Sequence, residues 1–160
     1  KGIETPDKIL AYVRRKLIEN ISQDGGQDGM DGTLICLDAK TNTLTYASAY
    51  NSPFLVSGKT GTEQGADKMP IGKGENLTDF KLHEIEMKKG DILYLFTDGY
   101  ADQFGGPRGK KFKYKQLQEL LVSLNDVSFE EQKKVLDAIT TEWRGNLEQT
   151  DDILIIGIRI

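Results

Sequence analysis

The sequence predicts an α+β fold built on antiparallel sheet, from three observations. Strand-like segments crowd residues 33–96, two amphipathic helical segments follow between residues 115 and 143, and an apolar strand returns at residues 153–160. Strands, then helices, then one closing strand argue for an antiparallel sheet with segregated helices rather than for alternating βαβ units. A chain of 160 residues suits one domain with a real core, so residues 1–160 are expected to form a single domain.

Each element has a local cause. Thr5, Pro6 and Asp7 make a helix start: a capping hydroxyl, proline at the first helical position, and an acid at the positive end of the dipole. Ile9, Leu10, Val13 and Leu17 recur at helical spacing, and the helix should fade near Asn20. SQDGGQDG (22–29) reads as a turn-rich connection. TLICLD (33–38) and LTYASAY (44–50), separated by AKTN (39–42), read as a hairpin. PFLVSG (53–58) is a third short strand, GTEQGADK (61–68) a loop, and FKLHEIEM (80–87) an alternating strand whose phase slips once. KKGD (88–91) is a turn into ILYLF (92–96). Lys115–Leu124 places Leu117, Leu120, Leu121 and Leu124 on one helical face. Ser128 and Glu131 form a capping box for a second helix carrying Val135, Leu136, Ile139 and Trp143, with Gly145 as its stop.

Composition excludes several classes. The net charge of −4 does not suit a surface built to hold nucleic acid. Cys36 is the only cysteine, which rules out an internal disulfide and a cysteine zinc cluster and fits a reducing, cytoplasmic compartment. No apolar run approaches the roughly 20 residues needed to cross a bilayer. The chain opens KGIETPDK, with no signal peptide and no initiator methionine, as expected of a fragment of a longer protein.

The chemistry-bearing residues sit at strand ends. ILYLF is fit for burial, yet it runs straight into Thr97, Asp98 and Gly99, and Asp151 and Asp152 precede the last strand. If those two strands lie antiparallel and adjacent, Asp98 and Asp151 share one end of the sheet. Carboxylates brought together repel and need neutralising. A hard divalent cation such as Mg²⁺ or Mn²⁺ does this with oxygen ligands. Gly99 would let the backbone turn sharply beside the ion. Asp-Gly is also common turn chemistry, and Asp often precedes a strand, so spacing alone leaves both readings open.

KKGDILYLFTDGYADQFGG (88–106) resembles the Ser/Thr-Asp-Gly segment of SpoIIE-type bacterial serine phosphatases, members of the metal-dependent type 2C protein phosphatases. DGMDGTLICLDAKTNTLTYASAYNSPFLV (28–56), MPIGKGE (69–75) and QTDDILIIGIRI (149–160) are similar to further segments of that family, in the same order. The resemblance implies an α/β/β/α fold, an antiparallel β-sandwich flanked by helices. It implies Asp98 and Asp151 as ligands of Mn²⁺ or Mg²⁺, two ions in the complete domain, with Asp152 supporting the loop or the ligands from behind. The implied reaction is attack by metal-activated water on phosphoserine or phosphothreonine, which needs no nucleophilic side chain, so no side chain is named as catalytic. The implied substrate is a phosphorylated regulatory protein such as an anti-sigma-factor antagonist, and the domain is expected to follow a sensor. The family's Asp-x-Thr-Gly-His-Gly motif, which supplies a bridging ligand, has no counterpart here and is expected upstream of the helix at Thr5. The chain is therefore expected to be the C-terminal portion of the domain, incomplete at its N-terminus, binding metal weakly with little or no activity alone. Where many relatives read Gly-His-Asn-Pro-Pro, this chain has Ala49-Tyr50-Asn51-Ser52-Pro53, and Asn51 is expected to fix a loop rather than do chemistry.

Other residues carry weaker signals. Asp28 and Asp31 precede a strand as Asp151 does, and read best as a solvated turn. His83, the only histidine, lacks partners for a Ser-His-Asp triad, and Cys36 is expected to pack in the core. Arg108, Lys110, Lys111, Lys113 and Lys115 surround Phe112 and Tyr114. That stretch reads as a solvated loop; Arg108, Lys110 and Lys111 would alternatively steer an anionic phosphoprotein toward Asp98, or bind nucleic acid. The rival functions are a catalytically inactive phosphoprotein-binding module and a nucleic-acid-binding module. Open sheet edges would favour a homodimer.

Overall fold

The computed structural model describes residues 4–20, 29–41, 43–75 and 78–160. They form a mixed α+β structure of antiparallel sheets and helices, as the order of elements predicts. Two compact units emerge: residues up to Pro53 with Glu63–Lys89, and Phe54–Thr62 with Gly90–Arg159.

The first unit begins with α1 (Pro6–Asn20). The Thr5 carbonyl accepts the first intrahelical bond from the Ile9 N–H at 3.0 Å. Among the described residues the buried Thr5 hydroxyl has no hydrogen-bond partner, so the expected cap is not seen, and proline at the first position favours the start. Two short strands, β1 (Gly29–Met30) and β6 (Ile71–Gly72), pair with each other. The predicted hairpin is β2 (Gly32–Asp38) and β3 (Thr43–Ala49), in register from Gly32↔Ala49 to Asp38↔Thr43. On its other side β3 pairs with β7 (His83–Glu86), which is shorter than its alternating pattern suggests. Leu10 of α1 packs with Ala47, Ala49, Met69, Ile71 and Phe80. The central strand is buried at every position from Tyr46 to Ala49, so the alternation in LTYASAY marks no exposed face. β2 is an edge strand, and Cys36 on it is exposed rather than packed in the core as expected. Its pattern resembles a core strand because edge and central strands share the same β-branched and apolar composition.

In the second unit the sheet order is β11-β8-β4-β5. β8 (Ile92–Phe96) lies between β11 (Ile155–Arg159) and β4 (Phe54–Ser57), antiparallel to both, and is buried on both faces save for Leu95. Residues 61–63, expected as the start of a loop over 61–68, lie instead in the edge strand β5 (Thr60–Glu63). Its polar, fully exposed composition hides it, but Gly61 packs so closely that a side chain there would strike the Phe54 ring and Val122. Two helices, α3 (Tyr114–Ser123) and α4 (Phe129–Arg144), contribute Leu117, Leu121 and Leu136 to a core shared with Phe54, Val56, Ile92, Tyr94 and Phe96. The Ser128 hydroxyl accepts the Glu131 N–H at 3.3 Å, and α4 ends at Gly145 with φ 57°, as predicted. A polar link completes that core: Tyr94 donates to Gln132 Oε1 at 2.8 Å, and Gln132 Nε2 donates to the Leu124 carbonyl at 2.9 Å. Satisfying every arm is what makes burial of that amide tolerable.

Candidate metal centre

The strand adjacency on which a shared site depends is present. β8 and β11 pair from Ile92↔Arg159 to Phe96↔Ile155, so the end of one meets the start of the other. Thr97 extends the join beyond the last pair. Its N–H donates to the Leu154 carbonyl at 3.0 Å, and its hydroxyl donates to the Asp152 carbonyl at 2.8 Å and accepts the Leu154 N–H at 3.0 Å. One side chain thereby ties the Asp98 segment to the Asp151–Asp152 segment. Thr97 had no role assigned from sequence; the signal was its place between a buried strand and Asp-Gly.

Asp98 and Gly99 open the short helix α2 (Gly99–Asp102), which the sequence pattern did not reveal. A four-residue helix has no periodicity to read. The Asp98 carbonyl accepts the Asp102 N–H at 2.8 Å, while the Asp98 side chain makes no capping bond and is exposed. The turn-chemistry alternative predicts a carboxylate spent on neighbouring backbone; Asp98 makes no such capping bond, whereas Asp151 Oδ1 does accept the next N–H. Gly99 also differs from expectation. It lies in helix rather than in a sharp turn, and its value is close approach: a Cβ there would collide with the Asp152 carbonyl, 2.8 Å from its carbon, and lie 3.0 Å from the Asp151 oxygen. Only a residue without a side chain lets the two aspartate-bearing segments come this near.

On the other segment, Asp151 and Asp152 are exposed. Asp151 Oδ1 accepts the Asp152 N–H at 2.7 Å, and Gln149 Nε2 donates to the Asp151 carbonyl at 2.8 Å. The donor set is oxygen-only, the kind hard divalent cations select. It is also small: among the described residues, no group of three or more His, Cys, Asp or Glu side chains converges as a metal site. Asp98 and Asp151 fit Mg²⁺ or Mn²⁺ in donor chemistry, with water left to supply most of the remaining positions.

The basic stretch folds as a hairpin of β9 (Phe104–Gly105) and β10 (Lys110–Lys111). Arg108 and Lys110 are exposed near its turn. Lys111 is engaged, with Nζ 2.8 Å from Asp102 Oδ2 on α2. A half-exposed pair of this kind adds little stability, but it orients Lys111 toward the helix that Asp98 begins.

In the first unit, the Asn51 N–H donates to the Ala49 carbonyl at 2.6 Å, closing a tight turn over Tyr50, whose φ is 57°. The Asn51 carbonyl accepts from the Thr33 and Ser48 hydroxyls. Its backbone therefore shapes the loop. Asp31 is exposed, and Asp28 lies outside the described residues. His83 stacks on Tyr46 with ring centroids 4.8 Å apart.

Comparisons with known proteins bear on this geometry. The family model for stage II sporulation protein E (SpoIIE) matches residues 1–160. The SiaA-PP2C domain of Pseudomonas aeruginosa is 28% identical with a TM-score of 0.88, over 98% of this chain and 61% of that one. The RsbU and RsbW domains of a Mycobacterium tuberculosis protein are 18% identical with a TM-score of 0.71, over 99% of this chain and 42% of that one. The phosphatase domain of SpoIIE from Bacillus subtilis, presoaked with Mn, is 18% identical with a TM-score of 0.63, over 100% of this chain and 68% of that one. No curated protein shows significant similarity to the chain. The chain spans about three fifths of the SiaA-PP2C domain.

Proposed function

The chain belongs to the SpoIIE family and shares the fold of PP2C phosphatase domains, and from that premise we propose that it is part of a metal-dependent protein serine/threonine phosphatase domain in which Asp98 and Asp151 hold Mn²⁺ or Mg²⁺. The observation that carries this reading is the join at Thr97 and Gly99, which brings two strand-end aspartate segments to one end of a sheet and leaves the Asp98 carboxylate without a capping role. A divalent cation held there supplies Lewis acidity and offsets phosphate charge. Asp98 and Asp151 bind it, Asp152 and Gly99 keep the two segments in contact, and exposed Arg108 and Lys110 favour approach of an anionic phosphoprotein.

The proposed substrate is a phosphoserine or phosphothreonine on a regulatory protein such as an anti-sigma-factor antagonist, in the cytoplasm. Likeness to a protein with RsbU and RsbW domains supports the regulatory setting. Among the described residues no helix is long and apolar enough to cross a membrane, and the net charge of −4 does not favour nucleic acid. The open edges of β2 and β11 make a homodimer the assembly to test by light scattering.

Two carboxylates fall well short of the six oxygen ligands that Mg²⁺ takes, so these residues bind metal weakly and turn over phosphoprotein slowly by themselves. The same count favours a second reading, an inactive module that binds a phosphoprotein without hydrolysis. Calorimetric Mn²⁺ titration paired with phosphoserine-peptide hydrolysis separates them. Asp98→Asn and Asp151→Asn should each abolish Mn²⁺ binding and any metal-stimulated phosphate release. Metal binding unchanged in both variants would refute the assignment, and peptide binding without phosphate release at saturating Mn²⁺ would favour the inactive module.

A further inference from the structure

Resting on this metal-centre reading, we propose that Gln103 is a positioning residue, a buried amide that grips the segment leading into Asp151 and so sets its place relative to Asp98. Gln103 is 0% exposed, an unusual location for a glutamine. Its side chain is used in full against backbone. Nε2 donates to the carbonyls of Phe104 and Glu148, each at 3.0 Å, and Oε1 accepts the Thr150 N–H at 3.2 Å. Its own carbonyl accepts from Trp143 Nε1 at 3.1 Å and from the Phe112 N–H at 3.0 Å.

One residue therefore joins four segments: the end of α2, the β9–β10 hairpin, the last turn of α4 and residues 148–150. Its placement is specific to the site. Gln103 follows directly on α2, which begins just after Asp98, while Glu148 and Thr150 stand just before Asp151. Thr97 holds the same segment from the other side of Asp151, through the Asp152 carbonyl. Asp151 is thus fixed between two backbone grips, both anchored to the Asp98 segment. An apolar residue of similar size would fill the space of Gln103, but only an amide can donate to the 148 carbonyl and accept from the 150 N–H together.

The test uses the 160-residue chain and amide NMR, with Mn²⁺ alone as the paramagnetic probe. In the wild type, the Gly99 and Asp152 amides should broaden together at the lowest Mn²⁺ additions. In Gln103→Met, with resonances elsewhere unchanged, broadening should need about 10- to 100-fold more Mn²⁺ and the two amides should lose their common response. Without metal, the Thr150 amide should exchange faster in that variant, and nuclear Overhauser contacts from the Gly99 α-protons to Asp152 should weaken. Gln103→Met with wild-type exchange, contacts and titration would overturn the inference. If the wild type itself shows no broadening at Gly99 and Asp152, the metal-centre reading fails, and the metal-free exchange and contacts still decide whether Gln103 holds the segment. Should Gln103→Met not fold, Thr150→Pro removes one N–H at an exposed position; unchanged Gly99–Asp152 contacts there would overturn the inference equally.

Discussion

Gly99 and Tyr100 stand side by side and are constrained for opposite reasons. Gly99 has no room for a side chain, since the Asp151–Asp152 backbone occupies the place of its Cβ. Gly99→Ala must push those segments apart, and overpacking of this kind costs about 1–3 kcal/mol. A thermal melt should show the loss, and a melt unchanged from wild type would mean that the approach is looser than described. Tyr100 is 2% exposed and donates its hydroxyl to the Leu136 carbonyl at 3.0 Å. Burial, aided by the nearby charge of Asp137, pushes its phenol from 10.0 up to about 12. The fold therefore favours the protonated phenol. Its contribution is fully present below pH 10 and is lost as pH rises toward about 12. Urea unfolding on either side of pH 10 should show stability falling with pH in the wild type and a flatter profile in Tyr100→Phe. At this scale the sequence is a partial guide. Asp98 and Asp151 stand out because a carboxylate ending a core strand is conspicuous. Thr97 and Gln103 do not, because their importance lies in partners more than forty positions away.

Elements with strong periodicity or explicit caps were legible. The hairpin, α3, α4 and the returning strand all appear close to where the pattern puts them, and Ser128 caps α4 as predicted. Ser128→Ala should cost about 1 kcal/mol, read as a lower midpoint in urea with an unchanged slope. A wild-type midpoint would show that Pro-free capping by neighbouring backbone suffices. The elements that escaped notice are α2, β5, the β1–β6 pair and the β9–β10 hairpin, each four residues or fewer per segment. Short elements have no period, and their existence is decided by tertiary partners: α2 by the approach of residues 151–152, and β5 by its neighbour β4. Cys36 failed for a related reason, since a strand pattern does not say which strand of a sheet lies at the edge.

For the whole molecule, an α+β arrangement of antiparallel sheets, membership of the SpoIIE family and likeness to PP2C domains agree with what the order of motifs implied. The fold was legible because four separate segments carried it. Whether a metal site is assembled was not legible, because that depends on which side chains converge in space, and among the described residues no group of three or more His, Cys, Asp or Glu side chains does so. Asp98 and Asp151 are proposed to hold one cation between them. A crystal of the chain grown with Mn²⁺ and measured at a wavelength that excites manganese tests it most directly. An anomalous peak is expected about 2.0–2.3 Å from a carboxylate oxygen of each aspartate. Carboxylates turned away from one another, with manganese bound elsewhere or not at all, would contradict it.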